Sequence, residues 1–187
     1  MTEHSQENNS IFKISLNLAG ACIISGIIIA IVYFLTSDIA KQKEAELNNL
    51  ALKSLVTVAD QYASVEGKTG WYTASKDGKV IAYLVPSESK GYGGTIKLLV
   101  AVGPDNKVIK YTILDAKETP GLGDKAGKAP FGEQFAGKSS DHLIVTKDPS
   151  NKDDIQAISG ATITSRAVTL AVKNAIDEVS AHLKGGK

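Results

Sequence analysis

Cysteine occurs once in this chain of 187 residues, at Cys22. An intramolecular disulfide is therefore impossible, and a single thiolate cannot hold an iron–sulfur cluster within the chain. Histidine is also scarce. His4, His142 and His182 are scattered without metal-ligand spacing, so no zinc site is assigned. Arginine is scarcer still: Arg166 is the one arginine among 21 basic residues, and the others are lysine. Neither sign of charge dominates, since 20 acidic residues balance the basic ones, and no polyanion such as nucleic acid is indicated as a partner. No nicotinamide fingerprint is present either. Redox chemistry in such a chain has to rest on an organic cofactor.

What is present begins with an apolar run. Ile14 to Leu35 contains 22 residues and no charge. A helix rising about 1.5 Å per residue needs about 20 such residues to cross the hydrocarbon core, so a transmembrane helix is expected over 14–35. Tyr33 and Phe34 stand where an interfacial aromatic belt belongs. A cleaved secretory signal would have a shorter apolar stretch after a basic leader. Here the leader, 1–13, has no lysine or arginine before Lys13, and an uncleaved anchor is expected. Small residues Ser15, Ala19, Cys22, Gly26 and Ala30 share one helix face, which either admits a second helix closely or reflects ordinary span composition. Lys13 before the run and Lys41 and Lys43 after it hint weakly at a cytoplasmic domain, but long domains translocate largely regardless of flanking charge.

Beyond the span, residues 36–62 have helical spacing, with Ile39, Leu47, Leu50, Leu55, Val58 and Tyr62 forming an apolar stripe. This segment reads as a stalk, as the first helix of the water-exposed domain over 63–187, or as both. From Trp71 to Leu114 the pattern turns to strands. Asp77-Gly78 is a favoured two-residue hairpin turn, and GPDNK (103–107) separates two further β-rich runs. PSESKGYGGT (86–95) reads as a connection centred on Tyr92. Residues 116–140 hold five glycines and two prolines with little periodicity, and a loop of that length in a compact domain is more often functional than idle. A short strand is expected over 143–146. Thr164 to Leu183 is an amphipathic helix with Val168, Ala171, Val172, Ala175, Val179 and Leu183 on one side. The fold class expected is α+β: an antiparallel sheet with helices drawn from both ends of the domain.

The chemistry gathers just before that last helix, in DDIQAISGATITSRAV (153–168). Hydroxyl residues Ser159, Thr162, Thr164 and Ser165 crowd the helix start, where free N–H groups and the positive end of the dipole favour phosphate. Gly160 lets the backbone approach a ligand. The same hydroxyls would serve equally as ordinary helix caps.

The run SGATITSRAV resembles the flavin-attachment motif of the FMN-binding domain family. ETPGLGDK (118–125) resembles that family's second characteristic loop, and GYGGTIKLLVAV (91–102) its central strand region. The domain occurs in the G subunit of the Rnf electron-transport complex and the C subunit of the sodium-pumping NADH:quinone reductase. The chain's short length and the GLGDK form of the loop lean toward the former. The resemblance implies that Thr162 carries FMN through a phosphoester, installed by a separate flavin transferase using FAD, with Thr164 the alternative acceptor. Ser159, Gly160, Ala161 and Thr164 would surround the attachment point. Glu118, Thr119, Pro120, Gly121, Leu122 and Gly123 would lie against the flavin ring. The transferase usually reads an aspartate six residues before the acceptor, where this chain has Gln156. Arg166 either approaches the phosphate or is a solvated helix residue, and Lys125 and Lys128 are possible partner-facing charges.

By the same resemblance the chain is a redox subunit with no complete active site of its own. It would work with other membrane and redox subunits of an ion-translocating ferredoxin:NAD oxidoreductase. It would sit in the lipid of a prokaryotic cytoplasmic membrane with its domain on the extracytoplasmic side. A stand-alone anchored flavoprotein and a cofactor-free binding module are the other classes the sequence admits.

Overall fold

Five consecutive strands hydrogen-bond in chain order, each antiparallel to the last. They are β1 (Gln61–Ser64), β2 (Tyr72–Lys76), β3 (Lys79–Lys90), β4 (Thr95–Val102) and β5 (Val108–Asp115). The computed structural model describes residues 3–185, with side chains described over 11–39, at 43 and over 49–185. Leu47 of the expected stripe, Lys41 and the side chains of most of the leader 1–13 lie outside these.

The hairpin turns follow local chemistry. Asp77 and Gly78 both have positive φ, 50° and 74°, as a two-residue turn matching the strand twist requires. In the 103–107 turn Asn106 takes φ 57°, and the Gly103 N–H donates to the Lys107 carbonyl at 2.8 Å. The third hairpin is tighter than expected. β3 continues through Pro86 to Lys90, leaving only 91–94 as connection. Beyond Leu84 the strand has β4 alone as neighbour, so proline's missing N–H is tolerated there.

Alternation along β4 divides the core. Ile96, Leu98, Val100 and Val102 face one side, against Val168, Val172, Ile176 and Val179 of α3 (Thr162–Gly185). Leu99 and Ala101 face the other, against Leu52, Leu55 and Val56. Each such buried aliphatic side chain contributes about 1.5–3 kcal/mol of transfer free energy. The sheet is thus the middle layer, with helical turns from the two ends of the domain on its faces. The α+β class is what the structure has.

Helix α1 runs Glu3–Leu55, and the chain divides into two compact units after Asn48. The first unit includes an apolar helical stretch, Ile11–Ile39, long enough to cross a membrane. Its isoleucines at 23, 24, 27, 28, 29 and 31 are all exposed. Apolar side chains on every side of a helix suit a lipid surround. The second unit takes over before the helix ends. Val56, Thr57 and Val58 form a β-branched run that disfavours helix, and Tyr62, expected on a helical stripe, instead pairs with Ala74 in the sheet. Its hydroxyl donates to the Val56 carbonyl at 2.6 Å, covering the helix end, and Val58 is exposed.

Residues 116–140 are more regular than their composition suggests. They fold into a 3-10 turn (Gly123–Gly127), the short helix α2 (Ala129–Gly132) and a second 3-10 turn (Glu133–Phe135). Phe131 and Phe135, four residues apart, bury together beside Tyr111. The Tyr111 hydroxyl donates to the Ala126 carbonyl at 2.5 Å, and burial raises its pKa. The short strand expected over 143–146 is β6 (Val145–Thr146), paired in parallel with β7 (Ile155–Gln156).

Candidate functional site

Three segments far apart in sequence meet at the start of α3: the hairpin tip 91–94, the glycine-proline loop after β5, and SGAT. Between them lies a cavity of about 610 Å³ lined by Tyr92, Glu118, Thr119, Leu122, Gly123, Lys147 and residues 160–164. It exceeds the cavity of about 430 Å³ beside β5, whose lining lacks the expected site residues.

The four hydroxyls around the helix start have different environments. Ser159 is exposed and outside the cavity lining. Ser165 is fully buried; it accepts the Ile158 N–H at 3.0 Å and donates to the Ala161 carbonyl at 2.9 Å, holding the SGAT turn onto the helix. Thr164 is also buried, at 1 % exposure, and its hydroxyl donates to Glu118 Oε2 at 2.5 Å. Thr162 is half-buried and lines the cavity. The first helical backbone bond in this turn runs from the Ser165 N–H to the Ala161 carbonyl at 2.9 Å. The N–H groups of 162–164 precede it, and these are the groups a helix start leaves for an anion.

Glu118 is tied down at both oxygens. Besides the Thr164 hydroxyl on Oε2, its Oε1 accepts the Gly93 N–H at 3.1 Å. Glycines hem it in. A Cβ on Gly123 would stand 2.7 Å from Glu118 Oε2 and 2.9 Å from Thr164 Oγ1, and one on Gly91 would collide with Glu118 Oε1. A Cβ on Gly93 would collide with the Lys117 carbonyl. Gly160 has φ +78° and already sits where a Cβ would meet Leu122 Cδ2 at 3.0 Å.

Of the expected site residues, Glu118, Thr119, Leu122, Gly123, Gly160, Ala161, Thr162 and Thr164 line the cavity. Pro120, Gly121 and Ser159 do not, although Gly121, at φ +77°, shapes the loop. Arg166 is exposed and lines a separate cleft with Leu143, Ile144, Val145, Thr169, Leu170 and Lys173. The cation on this cavity is Lys147 instead. No local pattern marks that lysine, because only the placement of β6 beside the helix start brings it here. Lys128 pairs with Asp124 at 3.0 Å, a contact that lowers the Asp124 pKa.

Gln156 is not a free recognition group. Its amide nitrogen donates to the carbonyls of Asp148 at 2.7 Å and Asn151 at 2.6 Å, and its backbone N–H donates to Gln134 Oε1 at 2.7 Å. An amide supplies both side-chain hydrogens; a carboxylate at this place would face two carbonyls with no donor.

Residues 91–177 match the FMN-binding domain family. The G subunit of the proton-translocating ferredoxin:NAD(+) oxidoreductase complex of Clostridium ljungdahlii is 53% identical to the chain, over 97% of the chain and 98% of that protein. The G subunit of the ion-translocating oxidoreductase complex of Vibrio cholerae is 32% identical, over 87% and 86%. The G subunit of the Na(+)-translocating ferredoxin:NAD(+) oxidoreductase complex of Acetobacterium woodii is 28% identical, over 89% and 90%. Among solved structures, the C subunit of the Na(+)-translocating NADH-quinone reductase from Parabacteroides distasonis superimposes with a TM-score of 0.58. It is 22% identical and covers 76% of this chain and 94% of its own, a likeness of fold.

Proposed function

The chain belongs to the family of G subunits of ion-translocating oxidoreductase complexes, and from that premise we propose that it is the membrane-anchored, electron-carrying subunit of a ferredoxin:NAD oxidoreductase complex, holding FMN as a phosphoester of Thr162. The observation that carries the reading is the cavity at the start of α3, where Thr162 alone among the four hydroxyl residues is neither committed to a neighbour by a described hydrogen bond nor outside the lining.

The residues fit the group. Leu122, Ala161 and Ile163 give the cavity an apolar side, and Tyr92, 70% exposed at the hairpin tip, stands at its rim as a surface for a flat ring. The N–H groups of 162–164 and the Lys147 ammonium supply the partners a phosphate needs. When bound, FMN supplies the electron acceptance and donation; the protein supplies position and electrostatics. In the attachment step Thr162 Oγ forms a bond to the flavin-side phosphorus of FAD. The diphosphate linkage breaks, AMP leaves, and the hydroxyl proton passes to solvent. No electrons change hands. A separate flavin transferase carries out this step, and Thr162 is its substrate, not a catalytic group.

The chain expressed with a flavin transferase and then denatured in acid is expected to retain flavin absorbance in the protein pellet. The peptide spanning 153–166 should gain the mass of FMN less one water, and Thr162→Ala should abolish both signals. A colourless wild-type pellet of unmodified mass would sink the reading.

The proposed setting is a prokaryotic cytoplasmic membrane, with the apolar helix in lipid, the domain outside, and the other subunits of the complex around it. Protease added to spheroplasts is expected to digest the domain from 49 onward. Protection until the membrane is broken would place it inside.

A further inference from the structure

Two threonines, Thr162 and Thr164, stand at one helix start with the same chemistry, and both line the cavity. Their surroundings differ through one side chain from 46 residues upstream. Glu118 Oε2 takes the Thr164 hydroxyl hydrogen at 2.5 Å, while Oε1 is held by the Gly93 N–H at 3.1 Å. The carboxylate cannot swing away easily. Positions 91, 93 and 123 around it are all glycine, and a Cβ at any of them would strike Glu118 or the backbone just before it. Such close quarters hold the carboxylate between the hairpin tip and the helix start, bonded to both.

From this geometry we infer that Glu118 is the positioning residue that selects the attachment site: it engages the Thr164 hydroxyl and leaves the Thr162 hydroxyl as the one nucleophile available. The inference rests on the reading of Thr162 as the flavin acceptor. A hydroxyl used as donor to a carboxylate is held with its oxygen turned toward that carboxylate. For Thr164, at 1 % exposure, to attack a phosphorus, an anionic diphosphate must enter a buried place and approach the Glu118 carboxylate itself. Thr162 is half-buried and has no described hydrogen bond to that carboxylate. Repulsion between a diphosphate and a carboxylate about 4 Å apart corresponds to about 10–100-fold in such a competition. Glu118 touches neither the phosphorus nor the attacking oxygen; it acts through Thr164.

The test is site-resolved mass spectrometry of the full chain, in detergent, treated with flavin transferase and FAD. Wild type is expected to be labelled on Thr162, and Thr162→Ala to label Thr164 only slowly although that hydroxyl is present. The Thr162→Ala/Glu118→Ala double variant is expected to gain label on Thr164, about 10–100-fold above Thr162→Ala. A merely structural role for Glu118 would create no new acceptor. Glu118→Ala with Thr162 intact should divide its label between Thr162 and Thr164, and its denaturant unfolding, followed by Trp71 fluorescence, reports whether it folds.

Glu118→Asp covers the case in which the alanine variant does not fold. Its shorter side chain cannot reach the Gly93 N–H and the Thr164 hydroxyl together, so its double variant should also label Thr164. Label on Thr164 in Thr162→Ala at the rate of the double variant overturns the inference. So does an unlabelled double variant whose Glu118 single variant is labelled, and so does loss of all label from folded Glu118 single variants. An unlabelled wild type removes the underlying reading along with it.

Discussion

Phe135→Ala is expected to destabilise the domain by about 3–5 kcal/mol, the usual cost of emptying a buried aromatic site. Phe135 is fully buried and makes edge contacts with Tyr111 (ring centroids 5.0 Å apart, planes at 78°) and Phe131 (5.4 Å, 69°). The void would do more than remove those contacts. Tyr111 depends on the same packing to hold its hydroxyl on the Ala126 carbonyl at 2.5 Å, and that bond anchors the turn following the glycine-proline loop. Typical domains are stable by about 5–15 kcal/mol, so a large share of the total would go. Trp71, the chain's one tryptophan and itself buried, is a convenient fluorescence probe for denaturant unfolding in detergent. A loss under about 1 kcal/mol would mean that the site collapses readily and that this aromatic cluster matters little.

Gly93→Ala should separate function from stability. The hairpin tip is exposed, so moving it disturbs little of the core, and a cost of about 1–2 kcal/mol is expected. At the site the effect should be far larger. The new Cβ would collide with the Lys117 carbonyl, and the tip could relieve that only by withdrawing the Gly93 N–H from Glu118. Tyr92 would leave the rim with it. Misplacement of about 1 Å in a positioned site can cost about 100-fold in rate, and flavin attachment to Thr162 is expected to slow by that order. Gly137→Ala is the matched control. Gly137 has φ +76° with open space where its Cβ would lie, and it is outside the cavity lining. It should lose stability through backbone strain while attachment proceeds at the wild-type rate. Equal attachment rates in the two variants would argue that the hairpin tip has no part in the site.

These expectations draw on features that differ in how openly the sequence displays them. Periodicity marked α3 well: valines at 168, 172 and 179 return to one face and are all fully buried. Asp77-Gly78 announced its hairpin through residues that tolerate positive φ. The stripe through Leu50, Leu55, Val58 and Tyr62 misled by continuing past its element. Leu55 does pack on the sheet, but three β-branched residues end the helix, and Tyr62 reaches the same core from a strand. A period of 3.6 and a period of 2 can agree over so few positions. In 116–140, glycine and proline concealed helical turns whose stability comes from Phe131 and Phe135 meeting Tyr111, a contact no local pattern contains. Gln156 was visible as a departure from the family's aspartate; its two amide bonds to a turn five and eight residues back were not.

What the sequence determined by itself is whatever depends on neighbours along the chain. A run of 22 uncharged residues can be stable in lipid wherever the rest folds, turn residues set their own φ, and a hydroxyl cluster at a helix start meets free N–H groups by virtue of being there. The tertiary structure decided what depends on neighbours across it. It alone placed Lys147 rather than Arg166 on the cavity and joined Glu118 to Thr164 over a gap of 46 residues. Two threonines two positions apart are chemically alike in the sequence. They become different groups only when the sheet carries a carboxylate to one of them, because a hydrogen bond is set by distance in space and not along the chain.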